Sequence, residues 1–220
     1  VVVVALDLED DAAVRSTIVE PLLEPGAGCV IPKTEERAIT VAQLRKVKEQ
    51  IERRCTAEGW RAWNPKEGRL EEEPLKPEEV TLYVVCDKVI KPATKAKRTS
   101  FVELVAFAPQ LPKWFVSHWW GEPVFDFIAC LEQHSMDHEY EEKVYDDDTC
   151  EQWTGEWRTL VACAYWVCAY ANNQWNVEGE LSDDPAQSSF RKALELAEGT
   201  VSIDRKSTRL NSSHTVISYA

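Results

Sequence analysis

Apolar residues first recur at helical spacing over Val41, Leu44, Val47, Ile51 and Cys55. Thr40 stands ahead of them with Gln43 three residues on, the spacing at which each side chain can bond the other's backbone, and Gly59 closes the stretch. A helix is therefore predicted over 40–59. Residues 1–34 scatter Pro21, Pro25, Gly26, Gly28 and Pro32 among short apolar pieces and read as an irregular lead-in. After Trp60 and Trp63, where the chain turns away, residues 65–76 are charged and hold two prolines, which reads as an exposed connection. Pro77, Glu78 and Glu79 suit a first helical turn and predict a second helix over 80–90, although the β-branched Val84, Val85, Val89 and Ile90 also suit a strand.

From Trp114 the pattern changes to alternating strand and helix. Residues 114–117 form a short apolar strand, Gly121 and Pro123 a turn, and residues 124 to about 134 a helix with Phe125, Ile128 and Leu131 on one face. Residues 137–148, dense in Asp and Glu, read as a surface insertion, and Trp153, Trp157, Leu160 and Val161 suggest a short helix. Residues 165–170 are apolar and read as a buried strand running into the polar turn Asn172-Asn173-Gln174. Asp184 and Pro185 open a helix with Phe190, Ala193, Leu194 and Ala197 on its apolar face, Gly199 stops it, and residues 200–203 begin a third strand. Helices between short apolar strands imply parallel pairing and right-handed crossovers. The expectation is an α/β fold: a parallel sheet over 114–203, preceded by a mainly helical region (1–76) and a helix with a basic connecting segment (77–113).

Composition narrows the function more by exclusion than by assertion. Nine tryptophans and 44% hydrophobic residues supply a real core, while a net charge of −13 opposes nonspecific nucleic-acid binding, which depends on neutralising phosphates. Against that acidic background Lys88, Lys91, Lys95, Lys97 and Arg98 form a basic stripe, read as a solvated loop or as a surface facing a phosphate or the acidic insertion. Seven cysteines, an odd number without a C-x-x-C pair and partly inside apolar runs, favour a reducing, cytoplasmic setting. No apolar run reaches membrane-spanning length.

Two strand ends carry the candidate chemistry, because ligands of open parallel sheets gather at the carboxyl ends of strands. Ser117, His118, Trp119 and Gly121 follow the first strand, and Asn172, Asn173 and Gln174 follow the second. Together they could hydrogen-bond a sugar, phosphate or amide and stack a base. The plainer alternative is that the polar groups satisfy loop backbone and the tryptophans are core. Cys130, His134 and His138 lie at i, i+4 and i+8 with Cys150 nearby, but match no zinc signature. Ser117 and His118 are adjacent on a strand, so they face opposite ways and make a poor nucleophile pair. No P-loop, G-x-G-x-x-G, G-x-S-x-G or calcium loop is present.

The strings Trp114-Phe-Val-Ser-His-Trp-Trp-Gly-Glu-Pro-Val, Tyr165-Trp-Val-Cys-Ala-Tyr-Ala-Asn-Asn-Gln and Gly199-Thr-Val-Ser resemble an uncharacterised family of dinoflagellate and related algal proteins. More distantly the chain is similar to TIR-like and heterokaryon-incompatibility-like domains, which share a Ser-His-x-Trp strand end and a second strand ending in an Asn-Gln pair. The resemblance implies an incomplete flavodoxin-like sheet and a signalling module that binds a nucleotide or a partner, by self-association or with other signalling proteins. It also implies two alternatives: an NAD glycohydrolase, or an assembly domain without a small-molecule site. In TIR-like enzymes that cleave NAD, the required glutamate follows the third strand, often in a Trp-Cys-x-x-Glu run. Glu122 and Asp126 do not match that position, so the chain is expected to be a fragment without activity. Residues 204–220 resemble the in-frame translation of a short-read sequencing adapter, with Thr215 and Val216 as its index, and are expected to be a non-native tail.

Overall fold

The computed structural model describes residues 14–138 except 25 and 65, the strands Val144–Tyr145 and Gln152–Trp153, residues 163–180 and 184–203, and the strand Thr215–Ser218. Two helical turns, Arg15–Val19 and Glu20–Leu22, bury Ile18, Val19 and Leu22. Strand β1 (Ile39–Thr40) leads into α1 (Val41–Glu58). The expected cap is in place: Gln43 N donates to Thr40 Oγ1 at 3.2 Å, Thr40 N donates to Gln43 Oε1 at 3.0 Å, and Gly59 ends the helix in the left-handed region at φ 61°. The apolar stripe Val41, Leu44, Val47, Ile51 and Cys55 is fully buried.

The stretch read as a bare connection holds a hairpin, β2 (Trp63–Asn64) with β3 (Arg69–Leu70). Two-residue strands are too short to show a period, which is why the pattern missed them. The second helix forms as α2 (Leu82–Val85), a wider turn over Cys86–Ile90, and α3 (Lys91–Thr94), with Val85, Val89 and Ile90 buried. Packing here overrides the strand preference of β-branched residues. A further helix, α4 (Phe101–Val105), carries a second capping box between Ser100 and Glu103.

The sheet is built from β4 (Trp114–His118), β7 (Ala164–Trp166) and β8 (Gly199–Ile203), all parallel, with β4 in the middle. Strand β1 adds antiparallel beside β7, and β9 (Thr215–Ser218) antiparallel beside β8. A small separate ladder pairs β5 (Val144–Tyr145) with β6 (Gln152–Trp153); the other residues of the acidic insertion and Trp157, Leu160 and Val161 lie outside the described residues. Helix α5 (Val124–Asp137) follows β4, and α6 (Cys168–Ala171), α7 (Val177–Glu180) and α8 (Ser189–Leu196) follow β7.

Three expectations change. The apolar run 165–170 is strand only to Trp166; from Cys168 it is helix, because an unbroken apolar run has no period to separate the two. Asp184 and Pro185 open only a 3₁₀ turn, Pro185–Gln187, and α8 takes its own cap, Arg191 N to Ser188 Oγ at 3.2 Å. The outer edge of β8, where an incomplete sheet is expected to stop, is covered by β9. An edge strand is a template for any extended segment, and Thr215, Val216 and Ile217 are β-branched.

Alternation sorts the side chains onto two faces. Trp114 and Val116, with Tyr165, Val201 and Ile203, join one large core that extends from Ile18 to Ile203 and includes the stripes of α1 and α5. Trp166 belongs to a small second core with Ala171 and Ala193 under α8. Its indole stacks on Phe115 at 5.3 Å, meets Phe190 edge-on at 5.1 Å and donates Nε1 to Thr34 O at 3.0 Å. Trp166→Phe therefore removes one of the two donors to that carbonyl, which keeps Arg37 N at 3.2 Å, and thins the stack, and about 1–2 kcal/mol of stability is expected to be lost in urea titrations.

Candidate functional site

Parallel pairing of β4 with both β7 and β8 puts three strand carboxyl ends on one edge of the sheet. The β4 end is held there by backbone: Leu82 N donates to Trp120 O at 3.1 Å, Val124 N to Val80 O at 2.8 Å, and Glu122 N to Trp119 O at 3.3 Å. Ser117 is exposed, while His118 turns to the opposite face and lies 4.9 Å from the Phe127 ring of α5. Neither His118 ring nitrogen has a hydrogen-bond partner within 3.5 Å among the described residues, and burial pulls its pKa down to about 4, with the Val116 backbone pulling the other way. Its imidazole is neutral near pH 7.

Trp119 is 63% exposed and folds back over Gly121 so closely that a Cβ on residue 121 would run into the indole. Trp120 turns inward instead, donating Nε1 to Cys168 Sγ at 3.2 Å and meeting the Tyr83 ring at 5.5 Å. That sulfur contact joins the β4 end to the β7 end.

At the β7 end the three amides are engaged. Asn172 is buried and accepts from Ser189 Oγ at 3.0 Å. Asn173 donates to Arg98 O at 2.6 Å and accepts from Trp175 N at 3.0 Å. Gln174 donates to Ala169 O at 3.0 Å, tying down the end of α6. These side chains set the shape of the loop, and among the described residues no hydrogen bond links them to Ser117, His118 or Trp119.

Folding adds a neighbour that spacing could not place. The basic segment after α3 packs on the β7 loop, with the Arg98 guanidinium 5.4 Å above the Trp175 ring and Trp175 Nε1 donating to Thr94 Oγ1 at 3.0 Å. Lys97 and Arg98 have no carboxylate within 4.0 Å among the described residues. The edge thus combines an exposed indole and hydroxyl at the end of β4 with the unneutralised Arg98 guanidinium beside the β7 loop, while the Lys97 ammonium turns toward Gly28.

Other chemistry finds less support. His134 and His138 stack at 4.1 Å, but His134 Nδ1 is bonded to Tyr165 Oη, Cys150 lies outside the described residues, and no group of three His, Cys, Asp or Glu side chains among the described residues is arranged to hold a metal. Burial pushes the Cys86 and Cys163 thiols up to about 11, far from a nucleophilic thiolate. Among the described residues no helix is long and apolar enough to cross a membrane. No protein-family model, curated protein or solved structure matches the chain.

Proposed function

We propose that the chain is a TIR-like signalling module that binds a nucleotide at the carboxyl edge of its parallel sheet. The observation that carries this reading is strand order: in sequence the parallel strands run first, second, third, and in space second, first, third. That is how a flavodoxin-like sheet begins, and such sheets bind ligands where the winding reverses, between the first and third strands. Here that place adjoins the loop after His118. The exposed Trp119 offers a stacking face for a base, Ser117 a hydroxyl, and the Arg98 guanidinium a favourable field for phosphate. Cys29, Cys55, Cys86, Cys163 and Cys168 are free thiols, which accords with a cytoplasmic setting.

The test is calorimetric titration with NAD, ADP-ribose and AMP at low and moderate salt. Saturable binding that weakens with salt is expected, along with a loss of about tenfold in Trp119→Ala. Absence of saturable binding by all three, or undiminished binding in Trp119→Ala, would sink the reading.

A further inference from the structure

A cleft of about 570 Å³ lies between the β2–β3 hairpin and α2, and the β4 loop contributes Gly121 to its lining. Its size is that of a small-molecule site. Trp63 and Leu70 are a directly opposed cross-strand pair and both line it, 60% and 49% exposed; Tyr83, 59% exposed, lines the facing helix. Such large apolar side chains gathered around one opening mark a binding surface.

These walls are fixed before any ligand arrives. Glu71 N donates to Ala62 O at 2.9 Å and Leu75 N to Trp60 O at 2.7 Å, so the hairpin is anchored at its base beside the buried Trp60. The Tyr83 ring is braced by Trp120.

Charge selects among ligands that aromatic walls could take. Bare ring faces attract cations, but the lining holds Arg61 and Lys88 against one carboxylate, Asp87. Lys88 sits 3.1 Å from Asp87, and Arg61 has no carboxylate within 4.0 Å among the described residues. A cation entering would meet that surplus positive charge, whereas an anion would relieve it. We propose that this cleft is a binding site for a planar aromatic anion, its ring between Trp63 and Tyr83 and its acid group on Arg61.

The probes are 2-naphthoate, the neutral 2-naphthalenemethanol and the cation 2-naphthylmethylammonium, titrated calorimetrically. One naphthoate per chain is expected, bound about fivefold or more tighter than the alcohol, with the ammonium weakest. Trp63→Ala is expected to weaken naphthoate about tenfold, and Arg61→Gln to erase the preference for anion over alcohol while leaving alcohol binding unchanged. If Trp63→Ala disturbs the hairpin by circular dichroism, Leu70→Glu, which puts a carboxylate at the mouth, is expected to abolish naphthoate binding. No saturable naphthoate binding, a preference for the ammonium, indifference to Leu70→Glu, or binding of a proline-rich peptide in place of naphthoate would each overturn the proposal.

Discussion

Glu103→Ala is expected to cost about 3–5 kcal/mol, a large fraction of what holds a chain of this size together. The carboxylate is 7% exposed and fully used: Oε1 accepts from Ile31 N at 3.0 Å, Oε2 accepts from Ser100 N and Ser100 Oγ at 3.0 Å each, and Arg37 lies 3.7 Å away. Arg37 is itself 6% exposed, donating Nε to Ile31 O at 2.8 Å and Nη1 to Glu180 Oε1 at 2.9 Å. One buried ionic knot thus ties the lead-in, α4 and the segment after β7. Alanine would strand the Ile31 N–H and leave a buried guanidinium with half its compensation. Glu180→Ala should cost less, about 1–2 kcal/mol, since Glu180 is the more exposed partner. Urea titration checks both, and a Glu103→Ala midpoint close to wild type would show that the knot carries no stability. Adding Arg37→Met to Glu103→Ala is expected to recover part of the loss by removing the uncompensated charge.

That knot shows what the sequence could and could not tell. Elements with their own local signals were legible: α1 from Thr40, Gln43 and Gly59, β4 from the apolar run after Pro112, α5 from its stripe, and β8 after Gly199. The Ser100–Glu103 box carried the same signal as Thr40–Gln43 and was hidden by the basic stripe just before it. Strand β1 is two residues long and earns its place only through Ala164 and Tyr165, so nothing local announces it. The site divides the same way. Strand-end positions of Ser117 and His118 followed from alternation, but the engagement of Asn172, Asn173 and Gln174 with nearby backbone, and the arrival of Arg98 beside Trp175, depend on contacts across the chain. The aromatic cleft was out of reach because its walls come from a hairpin without a period and a helix with a competing strand signal. Strand β9 makes the converse point: edge pairing asks only for an extended, β-branched segment, whatever its origin.

Acid is expected to destabilise the fold through two histidines. His118 and His134 both have pKa values drawn down to about 4, His118 by burial and His134 by burial and then by the charge of His138, with Asp137 pulling the other way. In the unfolded chain each titrates near its ordinary value of about 6.5. Between the two values the unfolded state holds the extra proton, so stability is complete above about pH 6.5, falls as pH drops, and levels off below about pH 4. At pH 4.5 each group contributes a loss on the order of 2 kcal/mol. The two imidazoles pack on different partners, Phe127 for His118 and Trp114 and Tyr165 for His134, so their effects should be close to additive. His118→Phe keeps an aromatic ring against Phe127 and removes the proton site; His134→Gln keeps a polar atom for Tyr165 Oη. Urea titrations at pH 7.5 and 4.5 are expected to show about half of the histidine-linked loss abolished by either substitution and nearly all by both. Carboxylates contribute equally to every variant, so an unchanged pH difference in the double variant would mean that both imidazoles accept protons freely in the folded protein.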